Sequence, residues 1–480
     1  MHPTLLTLQT FCHFLTPLTP QQISNPDREI NKVTSSTPLG SNGNNRSFNK
    51  ESPMRIMITG ANGFIGTHIV QALHQDGHQI VACVRSIKSA RQRGPGIELI
   101  EADFTTDHSA RVWRPRVKGI DVVINTVGII RQRGRQTFSS LHHKAPIALF
   151  RACAQMGVKQ VIQISALGAD RSAFSEYHLS KKAADDYLAS LDLNWLILMP
   201  SIVYGAGAKS MAFFKAVSSL PLVPLIDQGE QQIQPIHIDD MIHLIRRSIN
   251  PERRFRKRMV LVGPSRITIK KLLEDLRLWL GLTPPHYLSI PYKYAVSLAQ
   301  WAGFWGNTPL NGEVISMLQR GNIGECKPYI DECGKQPREM KSVLLESPAE
   351  DADKWHAGLY FLKPALRLSI AFVWLFTGYL SAFVFPIESS YALLSQVGIE
   401  HRYAPLFLYS AAGIDIALGI ATAFTYRIRL TAVLQIALIV LYTLIISIYV
   451  PDQWFHPFGP ISKNLPLIVS ILIMMTLERE

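Results

Sequence analysis

Cysteine is scarce in this sequence, and acidic residues are outnumbered by basic ones. The 480 residues include five cysteines, 36 Asp and Glu, and 49 Lys and Arg, which gives a formal net charge of +13. Five scattered cysteines are too few for a disulfide framework and favour reduced thiols in a cytoplasmic domain. Cys326 and Cys333 lie close together without a nearby histidine, so we predict no metal site.

The excess of basic charge has two explanations. Basic clusters at residues 91–93, 111–118, 131–135 and 253–258 could bind nucleic acid, or could keep a domain cytoplasmic beside an anionic membrane. The sequence shows no nucleic-acid-binding module in which aromatic residues alternate with basic ones. We therefore expect no nucleic-acid partner and expect a lipid bilayer instead.

Long uncharged apolar runs are absent before about residue 360 and dominate after it. Residues 1–53 are rich in Ser, Thr, Asn, Pro and Gln, so we expect a disordered extension, with a second candidate start at Met54. This extension lacks a basic N-terminal region and contains Pro17, so we predict no signal peptide. The remaining chain divides into a Rossmann domain at 54–330, a linker at 331–364 and a membrane domain at 365–480.

Short apolar runs alternate with helical stretches between Met54 and about Asn250. Each run is nearly continuous and ends in a turn, as is typical of strands buried on both faces of a parallel sheet. The pattern predicts an α/β fold with a doubly wound parallel sheet. The predicted strands are Arg55–Thr59, Gln79–Val84, Ile97–Ala102, Val122–Asn125, Gln160–Ser165 and Trp195–Met199.

Four apolar spans follow, at Leu368–Phe385, Tyr403–Phe424, Leu430–Val450 and Leu465–Leu477. About 20 apolar residues match the hydrocarbon thickness of a bilayer, whereas buried helices of a soluble bundle would carry a polar stripe. We predict an all-α bundle of four transmembrane helices.

The distribution of basic residues around these spans predicts their orientation. With the N-terminal domain in the cytoplasm, the outer loops hold only Arg402 and Lys463, so we predict that both termini lie in the cytoplasm and that the spans cross the inner membrane. The basic residues on the inner flanks are then Lys354, Lys363, Arg367, Arg427, Arg429 and Arg479.

A glycine-rich turn follows the first predicted strand and begins a helix. It reads Gly60-Ala-Asn62-Gly63-Phe64-Ile65-Gly66. In this context the glycines allow a tight turn and a close approach of the backbone to a pyrophosphate at the helix N-terminus. We therefore predict a dinucleotide cofactor.

The end of the second strand indicates which dinucleotide. An acidic residue there would bind the ribose 2′-hydroxyl of NAD, but this chain has Arg85, followed by Lys88, Arg91 and Arg93. A guanidinium can pair with a 2′-phosphate in bidentate fashion. NADP(H) is favoured, NAD(H) remains an alternative, and Arg85 could instead be a solvated residue.

Three residues at or after the end of the fifth strand are candidates for catalysis. Ser165 ends that strand, and Tyr177 and Lys181 are four apart, so that both would share one face of a helix. A nearby ammonium stabilises a phenolate and lowers its pKa, which suits a proton donor or acceptor. Ser165 could hydrogen-bond a substrate carbonyl. The alternative is an ordinary surface face of a helix.

The chain resembles the short-chain dehydrogenase/reductase superfamily on these residues. The phrases Pro200-Ser-Ile-Val-Tyr-Gly205 and Pro235-Ile-His-Ile-Asp-Asp240 are also similar to it. Ile164-Ser-Ala-Leu-Gly-Ala169 and Thr308-Pro-Leu resemble its atypical branch, which includes the nucleotide-binding accessory subunit of respiratory complex I. The apolar tail, with Gly413-Ile-Asp415, resembles the DoxX-like family.

The resemblance implies a set of cofactor-binding residues over about residues 54–330. The glycines would line the pyrophosphate, Asp103 would approach the adenine, and Lys181 would contact the ribose. Asn125 and Gly128 would lie over the cofactor, and Pro200 to Val203 would lie near the nicotinamide.

Asp415 is the one acidic residue within an apolar span. A carboxylate there costs several kcal/mol unless it faces a partner or a cavity. Asp415 could bind a proton or contact a quinone headgroup. Alternatively, it could be a protonated or hydrogen-bonded packing residue.

Three functional hypotheses remain. The first is a membrane-anchored NADP(H)-dependent oxidoreductase that acts on a carbonyl or quinone-type acceptor. The second is a non-catalytic NADPH-binding assembly or redox-sensing module of a membrane complex. The third is a sugar-nucleotide epimerase or dehydratase, for which the Ser165–Tyr177 gap is short.

Overall fold

The computed structural model describes residues 53–90, 94–250, 253–305, 312–457 and 459–478. Nearly all of the predicted N-terminal extension lies outside the described residues. So do Arg91, Arg93, the Thr308-Pro-Leu segment and Arg479.

The strands of the chain are short and mostly apolar. In chain order they are β1 (Arg55–Thr59), β2 (Gln79–Val84), β3 (Ile97–Glu101), β4 (Val122–Asn125), β5 (Gln160–Ile164), β6 (Asn194–Pro200), β7 (Val203–Tyr204), β8 (Leu222–Ile226), β9 (Gln232–Ile233), β10 (Ile236–His237), β11 (Lys257–Leu261), β12 (Ile267–Thr268) and β13 (His286–Ile290).

Seven of these strands form one parallel sheet in the order β11-β6-β5-β4-β1-β2-β3. All six predicted strands are confirmed within one or two residues. The seventh strand, β11, begins with Lys257 and Arg258. An edge strand is only partly buried and can carry charged residues, so β11 does not form a continuous apolar run and was not predicted.

Helices cover both faces of the sheet. They are α1 (Phe64–Gln75), α2 (Ala110–Val117), α3 (Ala145–Met156), α4 (Glu176–Ser190), α5 (Lys209–Ser219), α6 (Ile238–Ser248), α7 (Ile269–Trp279), α8 (Tyr292–Trp305), α9 (Gly312–Arg320), α10 (Lys327–Cys333) and α11 (Met340–Glu346). Ile56 and Ile58 pack towards α1 and α6, whereas Met57 between them packs towards α2 and α3. Such alternation places a core on each side, as the predicted doubly wound fold requires.

A smaller lobe adjoins the C-terminal edge of this sheet. Its core includes Phe213 of α5, Val223 of β8 and Leu272 of α7, and Tyr360 and Phe361 pack against it. These last two residues fall in the predicted linker 331–364. The described chain is helical through most of that stretch and packs on the Rossmann domain.

The C-terminal region is helical. Its helices are α12 (Asp351–Tyr379), which continues as a π-helical segment at Leu380–Val384, α13 (Ile387–Gln396), α14 (Ala404–Ala423), α15 (Ile428–Tyr449) and α16 (Asn464–Leu477). Within the described residues, three helical segments are long and apolar enough to cross a membrane: Asp351–Val384, His401–Ala423 and Ile428–Tyr449. The fourth predicted span is the apolar helix α16, which has 14 residues, so the count of four spans is not confirmed.

Candidate cofactor and active site

The glycine-rich turn joins β1 to α1 through a backbone shape that side chains would obstruct. Gly60 has a φ of +72°, and the Gly63 N–H donates a 2.8 Å hydrogen bond to the Gly60 carbonyl. A Cβ on Gly60 would lie 2.8 Å from Thr126 Oγ1, and a Cβ on Gly66 would collide with the Gly60 carbonyl oxygen. The turn therefore needs glycine at both positions.

The N-terminus of α1 is suited to an anion. Its N-cap, Gly63, provides no side chain, and no acidic residue occupies the first turn. Phe64 and Ile65 pack against the core and hold the helix, while Asn62 Nδ2 donates to the Ser89 carbonyl at 3.2 Å. The first backbone N–H groups of α1 are thus presented to a ligand, as a pyrophosphate site requires.

Arg85 and Asp103 follow the ends of β2 and β3, at the same edge of the sheet. Arg85 is exposed and forms no ion pair with any residue that the structure describes. The Oδ1 atom of Asp103 accepts a 2.9 Å hydrogen bond from the Thr105 N–H, so this carboxylate partly stabilises its own loop. Arg85 is the more available of the two for a ribose substituent.

Asn125 forms its side-chain hydrogen bonds inside the protein. It is fully buried, accepts a 2.6 Å hydrogen bond from Thr59 Oγ1 and donates a 2.7 Å hydrogen bond to Gln163 Oε1. These bonds join the side chains of β1, β4 and β5 inside the protein. They fix the orientation of Asn125, and its expected position over the cofactor stays a prediction.

Gly128 lies in the loop after β4, directly above Lys181. A Cβ on Gly128 would lie 3.3 Å from Lys181 Nζ. Pro200, buried at the end of β6, accepts a 2.9 Å hydrogen bond from the Leu167 N–H, and Val203 in β7 is half-buried. These residues line the same C-terminal edge of the sheet, where ligands of such folds bind.

The Ser165 hydroxyl is engaged inside the protein. The residue is buried, and its hydroxyl donates a hydrogen bond to the carboxylate of Asp185 on α4. The role predicted for Ser165 stays a prediction, and it would require this hydrogen bond to be exchanged for one to the substrate. Sequence spacing placed the serine near Tyr177, but could not show that an internal acid engages its hydroxyl.

Tyr177 and Lys181 share one face of α4, as predicted. Lys181 Nζ lies 5.9 Å from the centroid of the Tyr177 ring and donates a 3.2 Å hydrogen bond to the Ile164 carbonyl. Burial lowers the pKa of Lys181 to about 8, against the opposing charge of Asp185. Burial, together with Asp185 and Glu313, raises the pKa of Tyr177. The tyrosine pKa therefore shifts upward, opposite to the lowering expected from Lys181, and burial is the largest cause.

His142 completes an aromatic enclosure that the sequence did not reveal. Its ring centroid lies 5.3 Å from that of Tyr177 and 5.2 Å from that of Phe138. His142 Nε2 accepts a 3.0 Å hydrogen bond from the Ile129 N–H, and Nδ1 lies 3.0 Å from Ser180 Oγ. Burial and Lys181 hold the pKa of His142 well below its usual range, so the imidazole is neutral.

Asp185 is the second residue missed by sequence reasoning. It is fully buried, and burial raises its pKa to about 6, although Ser165, Lys181, Arg258 and Gln163 lower it. The available signal was its position four residues after Lys181, which places Asp185 on the same helical face.

Asp415 lies far from this site, within the bundle. It is 7% exposed, and a Cβ on Gly378 of α12 would lie 3.2 Å from Asp415 Cβ. Its Oδ1 atom has no hydrogen-bond partner among the described residues. The described residues contain no cluster of three or more His, Cys, Asp or Glu side chains that could hold a metal ion.

Two known families match the chain. The NAD(P)H-binding family matches residues 60–212, and the DoxX-like family matches residues 371–472. A sugar epimerase of Bacillus subtilis, itself uncharacterised, is 30% identical over 155 residues, which cover 31% of this chain and 71% of that protein. The chain belongs to the NAD(P)H-binding, epimerase-like Rossmann proteins. Its C-terminal region is a DoxX-like domain.

Two other relatives of the NAD(P)H-binding domain are named for different functions. Ceramide reductase of Caulobacter vibrioides is 29% identical over 187 residues, which cover 38% of this chain and only 57% of that protein's length. NADH dehydrogenase [ubiquinone] 1 alpha subcomplex subunit 9 of Mus musculus is 24% identical over 299 residues, which cover 60% of this chain and 78% of that protein.

The Rossmann fold also matches a solved structure. A nucleoside-diphosphate-sugar epimerase from Staphylococcus aureus superposes with a TM-score of 0.50 and 21% identity, over 61% of this chain and 99% of that one. This similarity concerns the fold of the NAD(P)H-binding domain alone.

Proposed function

We propose that the protein is a membrane-anchored NADP(H)-dependent reductase of a carbonyl compound. The observation that carries this proposal is the Tyr177–Lys181 pair: Lys181 Nζ lies 5.9 Å from the Tyr177 ring centroid and next to the loop at Gly128, at the same edge of the sheet as the glycine-rich turn. A tyrosine hydroxyl beside a lysine ammonium can give a proton to an oxygen that accepts a hydride.

The residues of the chain divide the work between binding and proton transfer. NADPH, when bound, supplies the hydride. The turn from Gly60 to Gly66 would hold the pyrophosphate at the N-terminus of α1. Tyr177 gives its hydroxyl proton to the substrate oxygen, and Lys181 stabilises the resulting phenolate. Asp185 is a positioning residue, because it acts on Lys181 through its charge and does not reach the substrate.

The preference for NADP(H) over NAD(H) rests on Arg85. Its exposed guanidinium follows β2, where a carboxylate would repel a 2′-phosphate. The alternative cofactor is NAD(H), which the same glycine-rich turn could also hold.

We further propose that both ends of the chain face the cytoplasm, with α16 as a fourth span of the inner membrane. Glu478, just after α16, lies 3.3 Å from Lys363 and 3.1 Å from Arg367 of α12. This pairing supports a return of the chain to the side where α12 begins. The domain limits 54–330 and 365–480 belong to the same proposal.

The alternative function is that of an NADPH-binding assembly or redox-sensing module of a membrane complex. The match to the complex I subunit, over 78% of that subunit's length, favours it. The engaged Ser165 hydroxyl also fits a site that has lost a substrate contact. In a variant of the reductase function, the acceptor is a quinone instead of a carbonyl compound. A quinone could also bind near Asp415.

The experiment that separates the two functions follows NADPH oxidation by the protein in nanodiscs, with long-chain aldehydes, ketones and quinones as acceptors. We expect turnover that Tyr177→Phe lowers by roughly a hundredfold, with little change in NADPH affinity. Tyr187→Phe, on the same helix, is the matched control. No oxidation with any acceptor, together with full complementation of a deletion strain by Tyr177→Phe, would favour the assembly function.

A further inference from the structure

Helix α12 is longer than a bilayer crossing needs. Its 29 residues rise about 43 Å at 1.5 Å per residue, against about 30 Å of hydrocarbon. Its first part, residues 351–363, precedes Pro364 and carries charged residues at both ends. This first part therefore projects from the hydrocarbon on the side of the Rossmann domain.

One face of residues 351–363 is fixed to α5. Lys215 Nζ lies 2.9 Å from Asp353 Oδ1, and Ser219 Oγ donates a 3.3 Å hydrogen bond to the Ala357 carbonyl. The ring of Phe213 lies 6.1 Å from that of Tyr360. The Rossmann domain is thus attached directly to the beginning of the membrane helix.

The opposite face carries large apolar side chains that the described chain leaves uncovered. Trp355 is 70% exposed, Leu359 is 38% exposed and Leu362 is 59% exposed. Their spacing of four and three residues puts them on one face, which we call the α12 stripe. Val373, about five turns beyond Trp355 on the same face, is also exposed, within the apolar part of the helix.

The composition around the α12 stripe matches the surface of a bilayer. Tryptophan and lysine are the residues that anchor helices at the membrane–water interface, and Lys354 and Lys363 flank Leu359. Because the stripe continues into the membrane-spanning part of the same helix, lipid headgroups are the occupant that its position indicates.

The site lies close to this place. Helix α5 begins shortly after Gly207, where a Cβ would lie 3.9 Å from the ring of Phe64 in the glycine-rich turn. The other end of α5 contacts Ala357. Since α5 has 11 residues, about 16 Å separate the edge of the cofactor site from the part of α12 that carries the stripe.

We propose that the α12 stripe lies in the headgroup region of the bilayer, so that the site takes its substrate from the membrane. The substrate class is an amphiphilic lipid with a carbonyl near its polar end and a hydrocarbon chain that stays in the leaflet. This inference rests on the proposed reductase function. In the reaction the carbonyl becomes an alcohol: its carbon receives the hydride of NADPH, and its oxygen receives the Tyr177 proton.

The position of the stripe can be measured without any substrate. Leu359→Cys carries a bimane label in the full-length protein in nanodiscs, with spin-labelled phospholipids as quenchers. We expect quenching to be strongest by a headgroup or shallow acyl label, and at least threefold stronger than for Leu345→Cys. Leu345 is 73% exposed and belongs to α11, not to the stripe. Equal quenching at the two positions, as a protein partner on the stripe would also produce, overturns the inference.

The substrate class is tested by the double variant Trp355→Gln/Leu362→Gln, with Leu345→Gln as the control. We expect kcat/KM for a long-chain aldehyde presented in nanodiscs to fall about tenfold, and that for a short water-soluble aldehyde to stay unchanged. Equal effects on both aldehydes overturn the inference and leave the reductase function standing. If neither aldehyde is reduced by the unmodified protein, the reductase function fails, and the quenching experiment still decides where the stripe lies.

Discussion

The Rossmann half and the membrane half of this chain use apolar residues in different ways. Every residue of β4 and β5 is buried inside the protein. In the apolar window of α15, by contrast, only 22% of the residues are buried inside the structure. An apolar run in the first half therefore specifies neighbours within the protein. In the second half it specifies chiefly a surface that lipid can cover.

This difference predicts opposite outcomes for the same substitution in the two halves. Gly66→Ala should abolish nucleotide binding, because the new Cβ would collide with the Gly60 carbonyl and displace the turn. Gly413→Ala in α14 should leave stability unchanged or raise it by up to about 1 kcal/mol, since a Cβ there meets no atom within 4 Å. NADPH fluorescence titration and thermal unfolding measure both effects. Retained binding in Gly66→Ala would show that the turn is more tolerant than its geometry indicates.

The next largest effect concerns an exposed charge in the Rossmann half. Arg85→Asp should reverse the preference for NADPH over NADH, because it removes a charge-assisted pair and adds repulsion. The combined change is on the order of 2 to 3 kcal/mol. Titrations of the protein with both nucleotides measure it, and Arg151→Asp on α3 is a control of equal charge. Equal affinities for NADPH and NADH in the unmodified protein would contradict the assignment of Arg85.

The buried pair of Lys181 and Asp185 predicts a pH effect. The pKa of Lys181 is lowered to about 8, so its charge, and with it the turnover, should be lost as pH rises through that value. The Asp185 carboxylate favours the charged lysine, so Asp185→Asn should move the alkaline limb of the kcat/KM profile to lower pH. Asp186→Asn, at an exposed neighbour, should leave the limb in place.

Stability responds to the same pair with a defined sign. The folded protein holds the lysine pKa below its unfolded value, so this group's contribution is greatest at high pH and is lost as pH falls through about 10.5 to 8. The aspartate pKa is raised, so its contribution is lost as pH rises from about 4 to 6. Any decrease in melting temperature caused by Asp185→Asn should therefore be no larger at pH 7 than at pH 5. The opposite order would contradict the cost assigned to this buried charge.

The smallest effect is expected at the charged end of the membrane half. Glu478→Gln removes the partner of Lys363 and Arg367, which should lower the free energy of unfolding by about 1 kcal/mol at this partly exposed position. Thermal unfolding in detergent measures the change, with NADPH affinity expected to stay constant. Glu388→Gln, at an exposed residue of α13, is the control. If the two variants unfold at the same temperature, the pair does not hold α16 against α12.

The fold was more predictable than the site for a physical reason. Strands such as β4 are read from continuous apolar residues, because burial on both faces leaves no place for charge. The glycine-rich turn was equally predictable, since its backbone conformation requires glycine. The internal hydrogen bonds of Asn125 and Ser165 could not be predicted, because a polar residue at a strand end gives the same sequence signal whether it faces a ligand or an internal partner.

Two residues that the sequence did not reveal, His142 and Glu313, reach the site across long stretches of chain. His142 meets Tyr177 from a π-helical segment, Ser139–Lys144, before α3, and Glu313 Oε1 accepts a 2.7 Å hydrogen bond from the Tyr177 N–H. Neither contact follows a helical or strand period. The membrane half shows the converse limit: hydropathy located its helices, but the close approach of Asp415 to Gly378 depends on packing that composition does not specify.

Helix α12 runs from its contact with α5 into the DoxX-like domain without an intervening loop. The two domains consequently share one rotational phase about the axis of this helix. Each added residue would turn the membrane domain by about 100° relative to the Rossmann domain, whereas a full turn of three or four residues nearly restores the phase. Pro364 lacks the N–H that would bond to the Tyr360 carbonyl, so bending is easiest there while twist is still transmitted. Insertions after Leu362 should therefore affect the protein periodically, with one or two residues more damaging than four.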